Sequence, residues 1–264
     1  MKARDFEFNG KNLSDFGFII ASFGSKGLET IDGSEIIFNT VENLDGSKHS
    51  LVSTNYDGCL ECVIQVCKFS CNSDIKEILP IEFREISAWL NKRKFLKFKI
   101  LDEEHIDLYY NASVKSINRI ELDGRLMGLE LNIITDSPHA YKEPRLITIK
   151  NTVQNGKHSV NDTSYEEGYI YPVVEITMAQ DGDLSIYNAM EDRTTFIANC
   201  VQGETIVMDY PVIQSSVSSH NIQNDFNWNF FRVANTFDNS RNDLTISIPC
   251  TIKIKYSPIV KVGF

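Results

Sequence analysis

The 264-residue sequence lacks the short motifs of nucleotide-binding and hydrolytic enzymes. No GxxxxGK[ST] or GxGxxG stretch is present to cradle a phosphate, and the patterns GxSxG and HExxH are also missing. The five histidines share no local motif with a nucleophile or with one another. The residues therefore indicate a protein that is not an enzyme, and no cofactor is expected.

Long apolar runs are scarce as well. No stretch approaches the ~18 residues that a membrane-spanning helix needs. The opening MKARDFEFNG has no apolar core of the kind found in secretion signals. We therefore expect no membrane insertion, and synthesis in the cytoplasm of the producing cell. The hydrophobic content of 42% is nevertheless ample for buried cores.

Clustered positive charge is also rare, and the formal net charge is −10. The acidic excess is shared equally between residues 1–135 and 136–264, so neither half is a basic nucleic-acid module. The one basic run, at 92–99, follows a predicted helix and is typical of a solvated helix end. Stable duplex binding is not expected.

The cysteines lack the spacing of a metal site. Four of the six lie at Cys59, Cys62, Cys67 and Cys71, and no second ligand pair follows at zinc spacing. Alternation along a strand places Cys62 on the opposite face from the other three. We expect free thiols that fill small spaces, and no metal site.

What the first half does contain is a series of short strand-like runs. Aromatic and β-branched residues, punctuated by glycine, fill FEFNG (6–10), FGFIIASFG (16–24), SEIIFNTV (34–41) and CLECVIQVCKF (59–69). Further strands are predicted at FLKFKIL (95–101) and on either side of Asp123-Gly124. Asp-Gly predicts a tight hairpin because both of its residues tolerate positive φ.

One helix is predicted, at PIEFREISAWLNKRK (80–94). Ile86, Trp89 and Leu90 recur at helical spacing, and Pro80 suits the first turn. The segment TDSPHAYKEP (135–144), with two prolines, then indicates a boundary between domains at 1–137 and 138–264.

The second half reads as evenly spaced short strands without a helix. Turn dipeptides at Asn155-Gly156, Asp181-Gly182 and Gln202-Gly203 separate the apolar runs, which is typical of an antiparallel sandwich or barrel. The predicted strands are 145–149, 172–178, 184–187, 194–198, 205–208, 212–217, 244–248 and 251–256.

An aromatic stretch, FNWNFFRVANTF (226–237), is the most distinctive feature of this half. Trp228, Phe230 and Arg232 could form a platform for sugar rings or contact a partner. Alternatively, alternate members are core and one side meets a neighbouring subunit, since aromatics and arginine are enriched at protein interfaces.

Several segments, in this order, resemble the distal tail protein family of long-tailed phages, which includes prophage and phage-tail-like particles. They are FEFNGKNLSDFGFIIASF (6–23), EFREISAWLNKRKF (82–95), LNIITDSPHAYKEP (131–144), DLSIYNAMEDRTTFIANCVQGETIVMD (183–209) and NDLTISIPCTIKIKYSPIVKVGF (242–264). The likeness spans nearly the whole chain.

The resemblance implies a mainly β protein of two domains. The first would be a β-barrel-like, ring-forming domain with one α-helix, and the second a galectin-like antiparallel β-sandwich, whose last strand could return to the first domain. The ordered sugar-binding residues of galectins are not reproduced, because His220, Trp228 and Arg232 have a different spacing.

The resemblance also implies a structural function in the virion tail. The chain would form a homohexameric hub between the tail tube protein and the tail-tip or baseplate proteins, with receptor-binding protein docked nearby for host adsorption. DNA would only pass through the channel. A closed ring joins unlike patches head to tail, and the apolar runs supply the candidate interface residues Phe16, Phe18, Ile20, Phe23, Ile36 and Phe38.

Two other classes stay open on the residues alone. A carbohydrate-binding module protein would use Trp228 as a sugar platform. A glycosidase would need two carboxylates across a cleft, and the acidic clusters 102–104 and 166–167 are more typical of charged loops.

Overall fold

The structure, a computed structural model, describes residues 3–23, 35–42, 46, 48–69, 77–103, 105–236 and 238–262. They fall into two compact units. The first contains residues up to Lys142 together with those from Lys261 on, and the second contains Glu143–Val260. The predicted border between residues 137 and 138 lies close to this division. Cys71 lies outside the described residues.

Among the described residues, ten strands belong to the first unit. They are β1 (Phe6–Phe8), β2 (Lys11–Asn12), β3 (Phe18–Ile20), β4 (Ile36–Glu42), β5 (His49–Tyr56), β6 (Glu61–Lys68), β7 (Leu96–Ile100), β8 (Leu108–Leu122), β9 (Arg125–Thr135) and β10 (Ala140–Lys142). The main antiparallel sheet has the order β2-β1-β7-β8-β9-β6-β3, and β10 also pairs with β8. The mainly β prediction is therefore confirmed. Since β2 and β3 end this order, the described strands form an open sheet and not a closed barrel.

The hairpin predicted at Asp123-Gly124 is present between β8 and β9. Both turn residues have positive φ, 52° and 71°, which Asp and Gly tolerate. The predicted strand 16–24 is partly wrong, because a 3-10 helix at Leu13–Phe16 precedes β3. Gly17 ends that helix in the left-handed region, and its φ of 76° is strained for other residues.

The predicted helix is α1 (Pro80–Leu90), which is shorter than the predicted span to residue 94. It ends where Asn91 leaves helical geometry, and Lys92 Nζ donates to the Ala88 carbonyl oxygen at 2.8 Å. The buried face of α1 presents Ile86, Trp89 and Leu90 to the sheet, as the helical spacing predicts.

The described part of the second unit contains twelve strands. They are β11 (Arg145–Asn151), β12 (Gly156–Asn161), β13 (Gly168–Ile170), β14 (Val173–Met178), β15 (Gly182–Asn188), β16 (Arg193–Cys200), β17 (Thr205–Asp209), β18 (Val212–Ser215), β19 (Val233–Asn235), β20 (Arg241–Ile246), β21 (Cys250–Tyr256) and β22 (Ile259–Val260).

These strands form the predicted antiparallel sandwich. One sheet has the order β11-β21-β14-β17-β18, the other β12-β20-β15-β16, and β13 pairs with β19. Alternate apolar side chains of both sheets share one core, including Ile176, Ile186, Ile246 and Ile252. The absence of a helix here was a wrong prediction, since α2 (Ile222–Asp225) forms a single turn. No helix among the described residues is long and apolar enough to cross a membrane.

Candidate interaction surfaces

The ribbon formed by β4 and β5 is a two-stranded sheet separate from the main sheet of the first unit. The two strands pair with each other and with no other described strand. Phe38 is 62% exposed, and both faces of the ribbon carry further exposed apolar side chains. These residues are Ile36, Ile37, Val41, Leu51 and Val52. A two-stranded ribbon in water is marginal by itself, so this exposed apolar surface indicates a binding partner.

A second apolar surface surrounds the tip of the β8–β9 hairpin. The ring of Phe23 occupies the space where a side chain at Gly128 would lie. The Ile78 amide donates to the Leu126 carbonyl oxygen at 2.7 Å, which ties the start of α1 to the same hairpin. Four exposed apolar side chains define this hairpin-tip surface, and they are Phe23, Leu79, Ile81 and Leu122.

The six predicted interface residues divide between surface and interior. Ile36 and Phe38 lie on the ribbon, and Phe23 on the hairpin-tip surface. Phe18 and Ile20 are buried in their own unit, and Phe16 stacks on Trp89 with 4.4 Å between ring centroids. The interface role stays a prediction for the three exposed members. Leu51 and Val52 were missed because the polar run HSLVSTNY (49–56) has no strand alternation.

A third surface, on the second unit, consists of aromatic rings in contact. Tyr171 and Tyr210 stack with 4.2 Å between centroids, and Phe230 meets Tyr210 edge-on at 5.3 Å. Phe230 also lies 6.3 Å from Trp228, while Tyr169 meets Tyr171 at 5.5 Å. We call these five rings the aromatic surface. The alternation of the run GYIYP (168–172) was an available signal for its tyrosines.

Exposure differs sharply among the three residues predicted for this surface. Trp228 is 55% exposed, whereas the rings of Phe226 and Phe230 that it contacts are buried. Arg232 lies 3.9 Å above the Tyr169 ring and forms an ion pair with Glu191, with 2.6 Å between Nη2 and Oε1. Burial would lower the pKa of Arg232, but hydrogen bonds with Glu191 and Tyr171 outweigh it and raise the pKa. Arg232 is thus a fixed, paired cation.

The Asn227 side chain holds the loop that carries Trp228. Its Nδ2 donates to the Thr194 carbonyl oxygen at 2.9 Å, and its Oδ1 accepts from the Phe196 and Asn229 amides. The Asn227 amide also donates to the Phe196 carbonyl oxygen. These bonds hold Trp228 at a φ of 59°, a region that costs a bulky residue about 1–3 kcal/mol.

His220 belongs to a buried polar cluster and not to the aromatic surface. Its Nδ1 lies 2.6 Å from Glu204 Oε1, and its Nε2 lies 3.3 Å from Asp225 Oδ2. Ser215 Oγ donates to Glu204 Oε1 at 2.5 Å, and the Val201 amide to Oε2 at 3.0 Å. Burial raises the pKa of Glu204, but the three hydrogen bonds outweigh it and hold the pKa below its usual value.

Cys200 and Cys250 are buried and Cys62 is partly buried, whereas Cys59 is exposed, so the expectation of space-filling thiols is wrong for Cys59. Burial raises the pKa of Cys62 to about 12, that of Cys200 to about 12 and that of Cys250 to about 11. Such thiols are protonated at neutral pH and are poor nucleophiles or metal ligands. Within the described residues, no group of three or more His, Cys, Asp or Glu side chains is placed to hold a metal ion.

Comparison with known families decides what class of protein carries these surfaces. The model described as phage tail protein N-terminal domain matches residues 1–137, and the one described as phage tail C-terminal domain matches residues 139–256. The chain belongs to this family of phage tail proteins. The resemblance to tail proteins noted in the sequence is therefore confirmed. No curated protein matches the tail protein.

Among solved structures, the Dit protein (gp 19.1) of phage SPP1 shares its fold. The TM-score is 0.64 at 12% identity, over 97% of the tail protein and 99% of SPP1 Dit. SPP1 Dit is described as a paradigm of the hub adsorption apparatus in phages that infect Gram-positive hosts.

Two structures of the phage P2 baseplate in its activated conformation are also similar. The structure with Ca has a TM-score of 0.48 at 10% identity, over 96% of the tail protein and 97% of the matched chain. The structure with Sr has a TM-score of 0.45 at 11% identity, over 96% and 98%.

Proposed function

We propose that this tail protein is a structural hub: a homohexameric ring at the distal end of the tail tube, to which the tail-tip and host-adsorption proteins attach. The ribbon is the observation that carries the proposal. Its apolar side chains are exposed on both faces, and no described strand covers either of its edges. A second copy would supply the missing partner, because ring contacts recur identically in every subunit.

Head-to-tail rings need two unlike surfaces on each subunit, and the first unit offers both. The ribbon would meet the hairpin-tip surface of the next copy, so that Phe38 and its neighbours pack against residues such as Ile81 and Leu122. Each contact would remove exposed apolar side chains from water, at roughly 25 cal/mol per Å² of buried apolar area. The hexameric number rests on the family resemblance.

The remaining partner roles follow from the position of such a hub. One side of the ring would face the tail tube protein, and the other the tail-tip and receptor-binding proteins. Each chain has a formal net charge of −10, so the assembled ring would be strongly acidic. An acidic wall repels phosphates, and DNA would pass through the channel without being retained. The role is structural and not catalytic.

The ring is tested by the mass of the purified protein in solution. Multi-angle light scattering behind size exclusion should give about 180 kDa, the mass of six chains of 30.0 kDa. Phe38→Asp should reduce the mass to that of one chain, because it places a charge in the proposed apolar contact. A wild-type protein that stays monomeric at every concentration would contradict the proposal.

A matched control is available in the second unit. Leu146, on β11, is 64% exposed, close to the exposure of Phe38. Leu146→Asp introduces the same charge at an equally exposed position outside both proposed contacts, so it should leave the mass unchanged. If Phe38→Asp and Leu146→Asp assemble equally well, the ribbon is not the subunit contact.

Location in the virion is a separate prediction. Antibody raised against this chain and labelled with gold should mark the end of the tail far from the head in electron micrographs of intact particles. The physical reason is that a hub joins the tube to the adsorption proteins only at that end. Label along the whole tail would instead indicate a tube subunit.

A further inference from the structure

We propose that the aromatic surface of the second unit is a binding site for neutral saccharides. This inference goes beyond the hub function and does not depend on ring formation. It starts from the exposed rings of Trp228 and Tyr210, which flank the buried ring of Phe230. Tryptophan and tyrosine rings provide a large rigid contact area at little cost in conformational entropy, and the apolar face of a pyranose ring can lie flat on them.

The spacing of the rings suits a short oligosaccharide. Phe230 lies 6.3 Å from Trp228 and 5.3 Å from Tyr210, so the two exposed rings pack against the same buried ring. The same surface continues through Tyr171 to Tyr169, where Arg232 covers the ring. One sugar residue would stack on Trp228 and another on Tyr210, so that both ends of a short oligosaccharide would contact aromatic carbon.

Polar groups that could orient hydroxyls border the rings. The Arg232 guanidinium is held against Glu191 at 2.6 Å and is partly accessible. Glu191 Oε2 is buried and has no hydrogen-bond partner within the described residues. A paired guanidinium beside apolar rings is the combination typical of small-molecule sites, where a few fixed polar groups set the orientation of the ligand.

The loop is preorganised for this task. Three hydrogen bonds of Asn227 fix the loop to β16, and a fourth, from the Asn229 amide, closes the loop around Trp228. They hold Trp228 in the left-handed region with its indole exposed. A residue in such a strained backbone conformation persists only where many surrounding contacts hold it, and such residues are concentrated at ligand sites. A ring that is already in position loses little freedom when the ligand binds.

Charge selects neutral ligands over anionic ones. Arg232, the one cation that these rings contact among the described residues, is already neutralised by Glu191. The chain as a whole is acidic, with a formal net charge of −10. An anionic polymer would be repelled without gaining an unpaired cation, whereas an uncharged sugar would not.

Tryptophan fluorescence tests the proposal directly, because the chain has two tryptophans and Trp89 is buried. The purified full chain is titrated with cellotetraose, maltotetraose and chitotetraose, and with a heparin fragment as an anionic comparison. At least one neutral sugar should shift the emission of the wild type, and heparin should not. Trp228→Phe identifies the shifted signal as that of Trp228.

Affinities of the variants come from isothermal titration with the sugar that binds. Trp228→Ala and Tyr210→Ala should each weaken binding about tenfold or more, since aromatic anchors dominate such contacts. Asn227→Ala, which keeps the indole but frees the loop, should weaken binding less. Leu146 is exposed on β11, which is the edge strand opposite to β18 and far from Tyr210 in the sheet order. Leu146→Ala should therefore bind sugar like the wild type.

Any of four results would overturn the proposal. The first three are that no neutral sugar shifts the emission, that Trp228→Ala binds as tightly as the wild type, and that only heparin binds. A Trp228 emission that responds to protein concentration instead of sugar would also overturn it, and would assign the aromatic surface to contact with a second copy. Hub failure is distinguishable, because it is read from the mass of Phe38→Asp and not from sugar binding.

Discussion

Trp89→Ala is expected to destabilise the first unit by about 3–5 kcal/mol, the usual cost of removing a buried tryptophan. Trp89 is 6% exposed and stacks on Phe16 and Phe6 at 4.4 and 5.8 Å. Its Nε1 donates to the Phe8 carbonyl oxygen at 3.0 Å. The substitution therefore leaves a large cavity and an unpaired carbonyl between α1 and the sheet.

Thermal unfolding followed by circular dichroism should show the transition of the first unit lowered by roughly 10–20 °C. Trp89→Phe keeps most of the ring and loses only the indole hydrogen bond and some volume, so its cost should be about 1–2 kcal/mol. Trp228→Ala truncates an exposed ring and should change stability by no more than about 0.5 kcal/mol. A Trp89→Ala protein with the wild-type midpoint would refute this account of the core.

Glu204→Gln should destabilise the second unit by about 3 kcal/mol at pH 7, because it removes one partner of a buried charged cluster. The pKa of Glu204 is lowered in the folded state by hydrogen bonds from Ser215, Val201 and His220, against the effect of burial. Its contribution is therefore complete above the ordinary pKa of 4.5 and is lost as the pH falls through the lower folded value.

Urea unfolding at several pH values measures this linkage. The gap in unfolding free energy between wild type and Glu204→Gln should be widest near neutral pH and should narrow below pH 4.5. The matched control is Glu175→Gln, because Glu175 pairs with Lys253 at 2.7 Å on an exposed face of the same sandwich. That exposed pair should contribute less than about 1 kcal/mol. A gap that stays constant with pH would contradict the role given to Glu204.

Local chemistry explains which parts of the fold could be predicted from the sequence. The Asp123-Gly124 turn and the apolar face of α1 follow from neighbouring residues alone, since positive φ and helical periodicity are local properties. The end of α1 was placed too late because Lys92–Lys94 suit a helix terminus, while Asn91 already leaves helical geometry. The single turn α2 is too short to produce a periodic pattern.

Long-range packing explains why the candidate surfaces could be predicted only in part. Phe18 and Phe38 are equally apolar, but neighbouring strands cover only Phe18. The polar strand β5 depends on its pairing with β4. The grouping of Tyr169, Tyr171 and Tyr210 with Trp228 depends on segments that are far apart in the sequence. The sequence predicted that Trp228 and Phe230 share one exposed surface, but only Trp228 is exposed and Phe230 is buried.

Within the described part of the chain β4 pairs only with β5, which has a consequence for the order of events in virion assembly. A ribbon without an interior gains little stability from its own chain. If the proposed ring contact forms, the neighbouring copy would complete the folding of the ribbon. Free subunits would then be vulnerable to proteases at this segment, and incorporated subunits would be protected. Limited proteolysis would thus report assembly, and a cell could remove surplus copies without attacking finished tails.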